Sequence, residues 1–198
     1  MSAQPTIHRV FLHQKTDLLM HLLAASPGAR TVVYARSRET VHALRALLAE
    51  EGIAVDSLHG GKKPEAREQV LLSFRDRQVT CLVTPEGLIA EYALPEDCRV
   101  IYYDFHTLEE DYLSRLGEVK SVTTLVTQED HVLFIRLKEL LEGELEERQA
   151  ENFAYDRNAA APPRRANYNK TGSKPLQHKK PKLKNKGPRR KTGRTRKR

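Results

Sequence analysis

Hydrophobic residues between positions 1 and 151 follow two alternating patterns. Short runs rich in Val, Ile and Tyr are typical of buried parallel strands, and between them apolar residues recur every three or four positions, as in helices. The predicted strands are Ile7–Leu12, Thr31–Ala35, Ala54–Leu58, Thr80–Thr84, Arg99–Tyr103 and Thr123–Val126. The predicted helices are Lys15–Ala25, a helix that Ser37 caps and that ends at Gly52, Pro64–Arg75, Leu108–Leu116 and Gln128–Gln149. This alternation predicts an α/β fold, a single domain with a parallel sheet flanked by helices on both faces.

The end of the chain breaks this pattern. Residues 152–198 contain few large apolar residues and five of the ten prolines, so they cannot bury enough surface to offset chain entropy. We therefore expect a folded domain over residues 1–151, followed by a disordered basic tail over residues 152–198. Residues 157–198 hold 17 of the 34 Lys and Arg and no Asp or Glu, which leaves 17 basic and 26 acidic residues before them, a balance of −9.

The positive charge of the tail is denser than solubility alone requires. Lys and Arg displace counterions from a phosphate backbone and bind it without sequence preference, so the tail predicts binding to RNA. The candidate RNA-binding residues of the tail are Lys179, Lys180, Lys182, Lys184, Lys186, Arg189, Arg190 and Lys191. The alternatives are that the tail contacts the acidic domain or directs the location of the protein.

A second candidate for anion binding is the turn after the third predicted strand. Glycines allow another backbone or a phosphate to come close, and a helix N-terminus favours an anion. The candidate residues here are Gly60, Gly61, Lys62, Lys63 and Arg67, together with Arg36 after the second strand and Thr84 at the end of the fourth. The alternative is an ordinary strand, turn and helix in which the glycines only reverse the chain. For His59, both a role in stabilising the turn and contact with a ligand are open.

Several short segments also occur in the order found in a known family. They are Val32–Arg38, Leu58-His59-Gly60 followed by Arg67 and Phe74, Leu82-Val83-Thr84, Pro95 and Tyr112–Gly117. In this order they resemble the second RecA-like domain of DEAD-box RNA helicases, whose motifs read VFxxT, LHG with QxxR and F, LVAT, and YxHRxG. The resemblance covers about residues 7–141. It implies a RecA-like fold and implies that the segment around Leu58–Phe74 grips a nucleic-acid backbone.

The same comparison shows departures at the positions that serve ATP in the family. The RGLD motif is replaced by Ala90, Glu91, Tyr92 and Ala93, and the histidine of HRxGRxGR is Ser114. Arg115 and Gly117 remain as vestiges of the ATP site, whereas the arginine-finger positions are Glu118 and Ser121. An arginine finger places positive charge against the γ-phosphate, which a carboxylate would repel. The chain also contains no GxxxxGK[ST] and no DEAD-type acidic motif, so we expect no catalytic residues, no cofactor and no enzyme activity.

Other classes of site find little support in the composition. Cys81 and Cys98 lie in apolar runs and are predicted to be reduced core thiols. The eight histidines show no recurring ligand spacing, so we expect no metal. The longest apolar run, Leu18–Ala25, is too short to span a bilayer, and we expect a cytoplasmic protein without a membrane partner.

Three hypotheses follow. The first is a non-catalytic RNA-binding protein that acts on structured or ribosomal RNA. The second is a protein-interaction adaptor, in which the folded domain docks a protein partner and the tail localises it. The third is one half of a split helicase, which a first-domain partner would complete.

Overall fold

The described residues form a seven-stranded sheet with helices on both faces. The computed structural model describes residues 5–89, 92–104, 112, 119–141 and 145–156. The strands are β1 (Thr6–Arg9), β2 (Thr31–Tyr34), β3 (Val55–Ser57), β4 (Cys81–Thr84), β5 (Arg99–Tyr102), β6 (Ser121–Val126) and β7 (Glu146–Glu147). The helices are α1 (Lys15–Ala24), α2 (Arg38–Glu50), α3 (Pro64–Arg75), α4 (Glu86–Ile89) and α5 (His131–Leu140), with 3-10 helices at Leu12–Gln14 and Gln128–Asp130.

All paired strands are parallel, in the order β3-β4-β2-β5-β6-β1-β7. The predicted α/β fold with a parallel sheet is therefore confirmed. The six predicted strands are all present, and the predicted helix Leu108–Leu116 lies largely outside the described residues. No helix in the described part of the chain is long and apolar enough to cross a membrane.

Alternate residues of the central strands enter two separate cores. Val32 and Tyr34 of β2 belong to one core with Phe74 of α3, whereas Val33 belongs to the other with Leu44 of α2. Both faces of the sheet are therefore covered, which explains why its strands are continuously apolar rather than alternating.

The helix boundaries follow from local chemistry. The hydroxyl oxygen of Ser37 accepts a hydrogen bond from the N–H of Thr40 at 3.1 Å, which caps α2. Gly52 follows α2 with φ at +77°, a conformation that favours glycine, and Pro64 begins α3 where no intrahelical N–H is needed. These caps place the amino ends of α2 and α3 directly after β2 and β3.

The buried cysteines fit their predicted structural role. Burial raises the pKa of Cys81 and of Cys98 to about 12, so both remain protonated thiols. Within the described residues, no group of three or more His, Cys, Asp or Glu is arranged to hold a metal ion.

The predicted helix Gln128–Gln149 is wrong in its second half. Helix α5 ends at Leu140, and the chain then returns as β7, which pairs with β1 at the edge of the sheet. The N–H of Arg148 continues this pairing and donates to the carbonyl of Ile7 at 2.9 Å. The unpaired backbone of an edge strand explains why this segment pairs instead of continuing the helix.

Residues 148–156, which we call the strap, follow β7 and pack over α1. Three histidine rings bond to strap carbonyls, with ring-nitrogen to oxygen distances of 2.8 to 3.1 Å. The bonds join His8 to Arg148, His21 to Glu151 and His13 to Asp156. The side chain of Gln14 both donates to the carbonyl of Ala154 and accepts from the N–H of Asp156. These contacts extend the fold to Asp156, past the predicted boundary at residue 151.

Candidate nucleic-acid interface

The carboxyl ends of β3, β4 and β2 lie side by side at one end of the sheet, which we call the carboxyl edge. Because these strands are parallel, the loops that follow them leave at the same edge, where open α/β sheets bind ligands. This arrangement places Arg36 after β2, Gly60 and Gly61 after β3, and Thr84 at the end of β4. The structure thus brings together the candidate residues of the folded domain.

Beside Glu39 and Glu65 in the first turns of α2 and α3, this part of the carboxyl edge carries five basic side chains. They are Arg36, Arg38, Lys62, Lys63 and Arg67. Arg36, Arg38 and Lys63 are exposed, whereas Arg67, in the first turn of α3, is half-buried. The Nε atom of Arg67 is buried and has no hydrogen-bond partner among the described residues. No side chain caps α3, so its first N–H groups and helix dipole add to the positive potential.

Lys62 is less available than the sequence indicated. Its Nζ lies 2.9 Å from Oδ1 of Asp56, and the Nε of Arg45 lies 3.8 Å from the same oxygen. A phosphate would therefore have to compete with a partly buried ion pair for Lys62. Lys63 forms no ion pair with any described residue and remains the better candidate.

Thr84 lies beside the turn, as the resemblance implies, but its side chain is fully buried. Its hydroxyl donates to the carbonyl of Pro85 at 3.0 Å. The expected donation from Thr84 to a phosphate does not fit this geometry, because the hydroxyl is enclosed and already bonded. The residue instead shapes the loop that follows β4.

Arg38 and His42 join the candidate residues, although the sequence indicated no phosphate contact for them. His59, for which the sequence left open a role in the turn or contact with a ligand, lies beside them. The rings of His42 and His59 meet edge to face, with centroids 4.6 Å apart. A Cβ at Gly61 would lie 3.2 Å from Nδ1 of His59 and 3.5 Å from Nη1 of Arg38. A side chain at position 61 would therefore crowd these two nitrogens, and glycine avoids this contact. The position of Arg38 and His42 on the first turns of α2 is the signal that could have found them.

Ser121, at an arginine-finger position, lies far from this surface. It is the first residue of β6 and pairs in register with Arg99, so it sits at the amino edge of the sheet. Tyr92 is half-buried and packs against the core, and Ala93 is exposed. Arg115, Gly117 and Glu118, like the candidate residues of the tail, lie outside the described residues.

The carboxyl edge also holds a cavity that the sequence did not indicate. Its volume is about 790 Å³, and it opens where β1 and β6 end. Phe11, Phe134 and the strap residues Phe153 and Tyr155 supply aromatic walls. The guanidinium carbon of Arg9 lies 4.5 Å from the centroid of the Phe134 ring. The sequence analysis assigned the strap partly to a helix and partly to a disordered tail. It therefore could not predict that Phe153 and Tyr155 lie beside Phe11 and Phe134.

The amino-acid sequence of this chain is similar to a known family profile and to several known proteins. The profile of the helicase conserved C-terminal domain matches residues 14–120. The ATP-dependent RNA helicase SrmB of Escherichia coli is 28% identical over 143 residues, which are 69% of this chain and 32% of SrmB. The ATP-dependent RNA helicase DRS1 of Eremothecium gossypii is 34% identical over 121 residues, 56% of this chain and 16% of DRS1. The chain therefore spans about a third or less of the length of these relatives.

Solved structures give the same result. SrmB of E. coli, in a crystal structure with the regulator of ribonuclease activity A, superposes with a TM-score of 0.70 and 26% identity, over 82% of this chain and 98% of that one. The C-terminal domain of the DEAD-box protein Dbp5 superposes with a TM-score of 0.66 and 19% identity, over 74% of this chain and 89% of that one. The second likeness shows the fold alone, and together they confirm the RecA-like architecture.

Proposed function

Because this chain belongs to the helicase conserved C-terminal domain family, we propose that it is an RNA-binding protein that acts without ATP hydrolysis. The observation that carries the proposal is the position of Arg36, Arg38, Lys63 and Arg67 around the Gly60-Gly61 turn at the carboxyl edge, where Gly60 has open space in place of a side chain. Such groups contact phosphates and fix the position and shape of a strand without reading its bases. The basic tail adds affinity that depends on charge alone.

The proposed RNA is structured or ribosomal. Relatives of this chain include the ATP-dependent rRNA helicase RRP3 of Encephalitozoon cuniculi, 28% identical over 144 residues, 70% of this chain. A surface that binds the backbone at one edge of a rigid sheet favours RNA whose backbone has a matching bend. The proposal places this activity in the cytoplasm.

We propose that this chain does not hydrolyse ATP, because of the residues at the positions that serve ATP in the family. The sequence contains no GxxxxGK[ST], Glu118 stands where the family carries an arginine finger, and Ser121 lies in β6 at the amino edge. We expect the purified chain to bind ATP weakly and to show no RNA-stimulated phosphate release. Sustained RNA-dependent hydrolysis by this chain alone would support the split-helicase hypothesis instead.

The test of RNA binding compares two charge reversals on α3. In Lys63→Glu combined with Arg67→Glu, two positive charges at the carboxyl edge become negative. Arg75→Glu reverses a single positive charge at the exposed opposite end of the helix and serves as control. We expect the double variant to lose the preference for structured over unstructured RNA of equal length, and the control to keep it.

Equal discrimination by the wild type and the double variant would show that the folded domain contributes no RNA contact. Ultraviolet crosslinking without nucleotide gives the same information directly. Crosslinks confined to tail peptides would contradict the proposal, and crosslinks to the segment around Gly61 would support it.

A protein-interaction adaptor is the second candidate, and the aromatic cavity favours it. Leu12, Val132 and Ile135 are exposed large hydrophobic residues on the elements that form this cavity. Solved relatives include SrmB bound to the regulator of ribonuclease activity A and Dbp5 bound to Gle1. Phe153→Ala with Val132→Ser should abolish partner binding under this hypothesis and leave RNA discrimination unchanged.

A further inference from the structure

His59 sits at the centre of the basic cluster and contacts a second histidine. It follows β3, and its ring meets that of His42 from α2 at a centroid distance of 4.6 Å. Its ring is partly exposed, yet its Nδ1 atom is buried and has no hydrogen-bond partner among the described residues. A buried ring nitrogen without a partner costs free energy unless a ligand completes the site.

The charges that face His59 come from three directions. His42 and Arg38 lie on α2, Lys62 lies in the turn after β3, and the carboxylate of Asp56 lies on β3. Burial lowers the pKa of His59 below its ordinary value, and the nearby His42, Lys62 and Arg38 lower it further, while Asp56 opposes them. Without a ligand, the ring of His59 is therefore neutral near pH 7.

An anion beside Gly61 would reverse this balance. Both nitrogens lie against the bare backbone of Gly61, since an ideal Cβ there would be 3.2 Å from Nδ1 of His59 and 3.5 Å from Nη1 of Arg38. A phosphate oxygen that approached the exposed side chain of Arg38 at this turn would accept from its guanidinium and lie beside the partly exposed ring of His59. A nearby negative charge favours the protonated imidazolium, which donates from both ring nitrogens.

We propose that His59 is a phosphate ligand that binds as the imidazolium, so that the folded domain takes up a proton from solvent when it binds an RNA backbone. This inference rests on the proposed RNA-binding function and adds a coupling between binding and pH. In the unbound protein, burial is the main cause that lowers the pKa of His59, and His42 adds to it as a neighbouring basic group. Arg38 and Arg67 supply guanidinium groups beside the same turn.

The pKa of His59 in the free and bound protein determines whether RNA affinity rises or falls with pH. If the pKa of His59 is higher in the complex than in the free protein, affinity rises as pH falls from the bound pKa to the free pKa, and is constant outside that window. Uptake of one proton at most limits the effect to about tenfold per pH unit. The Lys and Arg residues of the tail stay charged throughout and contribute no slope.

The test uses the full chain and a single-stranded decamer of uridylate, at constant ionic strength between pH 6 and 8. The ring protons of His59 are assigned in NMR spectra by their loss in His59→Gln. We expect the decamer to raise the pKa of His59 and to bind wild type about three- to tenfold more tightly at pH 6 than at pH 8. His59→Gln should lose most of this dependence, whereas the exposed control His131→Gln should retain it.

The outcomes separate the two proposals. Binding that depends on Arg67 but shows the same affinity at both pH values, with an unchanged pKa of His59, would overturn this inference and leave RNA binding intact. A preference for structured over unstructured RNA that Lys63→Glu combined with Arg67→Glu leaves unchanged at every pH would overturn the proposed function of the folded domain itself. His42→Gln provides a second check, because it should raise the pKa of His59 in the free protein and reduce the proton uptake. Circular dichroism of each variant shows that the fold is retained.

Discussion

Lys15 and Asp104 form an ion pair that holds the loop carrying Arg36. The Nζ of Lys15 lies 3.0 Å from Oδ1 of Asp104, and the Lys15 side chain is only 6% exposed. The second carboxylate oxygen of Asp104 accepts the N–H of Arg36 at 2.9 Å. One carboxylate therefore neutralises a buried cation and fixes a residue of the candidate interface.

Removal of this carboxylate should destabilise the protein. Asp104→Ala leaves the charge of Lys15 buried and unpaired, which costs about 3–5 kcal/mol in the free energy of unfolding. Urea denaturation measures this loss. Combining Lys15→Met with Asp104→Ala should recover most of it, since no charge is then buried. A single variant as stable as wild type would show that water reaches Lys15.

His8 gives the stability a defined pH dependence. It is buried in β1 and bonded to the strap, and burial is the largest cause that lowers its pKa. The unfolded chain therefore binds more protons at this site than the folded one, so stability falls as pH drops below the ordinary value of about 6.5. His8→Gln should reduce the loss of melting temperature between pH 7.5 and pH 5.5. An unchanged loss would assign the dependence to other groups, such as His59.

The sequence predicted which residue types lie at which positions of the candidate interface, but not which other groups their side chains contact. Glycine at 60 and 61 and a cation at 67 follow from what a turn and a helix N-terminus favour. The pairing of Lys62 with Asp56 depends on how α2 packs on β3, since Arg45 of α2 approaches the same oxygen. The enclosure of the Thr84 hydroxyl likewise depends on the loop after β4. Such contacts arise in the tertiary structure and leave no periodic signal in the sequence.

Among the helices and strands, the hydrophobic pattern predicted those whose ends and buried faces are determined by side chains. The boundaries of α3 match the prediction, because Pro64 fixes its start and Val70 and Phe74 fix its buried face. Strand β7 consists of Glu146 and Glu147, whose side chains are not apolar, and it exists because its backbone pairs with β1. Besides its backbone bonds, the strand is held by ion pairs of Glu147 with Arg9 and Lys138. Neither kind of contact has a hydrophobic signature, so the acidic segment was predicted to continue the helix.

The strap should contribute measurably to stability. Phe153 and Tyr155 are half-buried, pack against the core of α1 and α2, and meet each other with ring centroids 4.9 Å apart. We expect Phe153→Ala with Tyr155→Ala to lower the free energy of unfolding by about 2–4 kcal/mol, less than for fully buried rings. Truncation after Asp156 is the matched control and should leave the free energy of unfolding unchanged. If both variants match wild type, the strap is a surface segment without a structural role.

At the scale of the whole chain, charge is divided between two regions. Residues 1–156 carry a balance of −9, whereas residues 157–198 carry 17 basic residues and no acidic ones. A net negative domain repels RNA at long range, although the carboxyl edge is locally basic. We therefore assign most of the raw affinity to the tail and the choice of backbone shape to the folded domain.

The salt dependence of RNA binding tests this division. If about six to eight tail residues contact phosphates, log K should fall against log salt with a slope of about −4 to −6 for single-stranded RNA. Truncation after Asp156 keeps the strap and should flatten the slope to about −1 to −2, the value for two or three contacts at the carboxyl edge. A chain with a shuffled tail of the same composition should keep the steep slope, because the contacts depend on charge and not on order. An unchanged slope after truncation would place the phosphate contacts in the folded domain, where the structure provides Arg36, Arg38, Lys63 and Arg67 to make them.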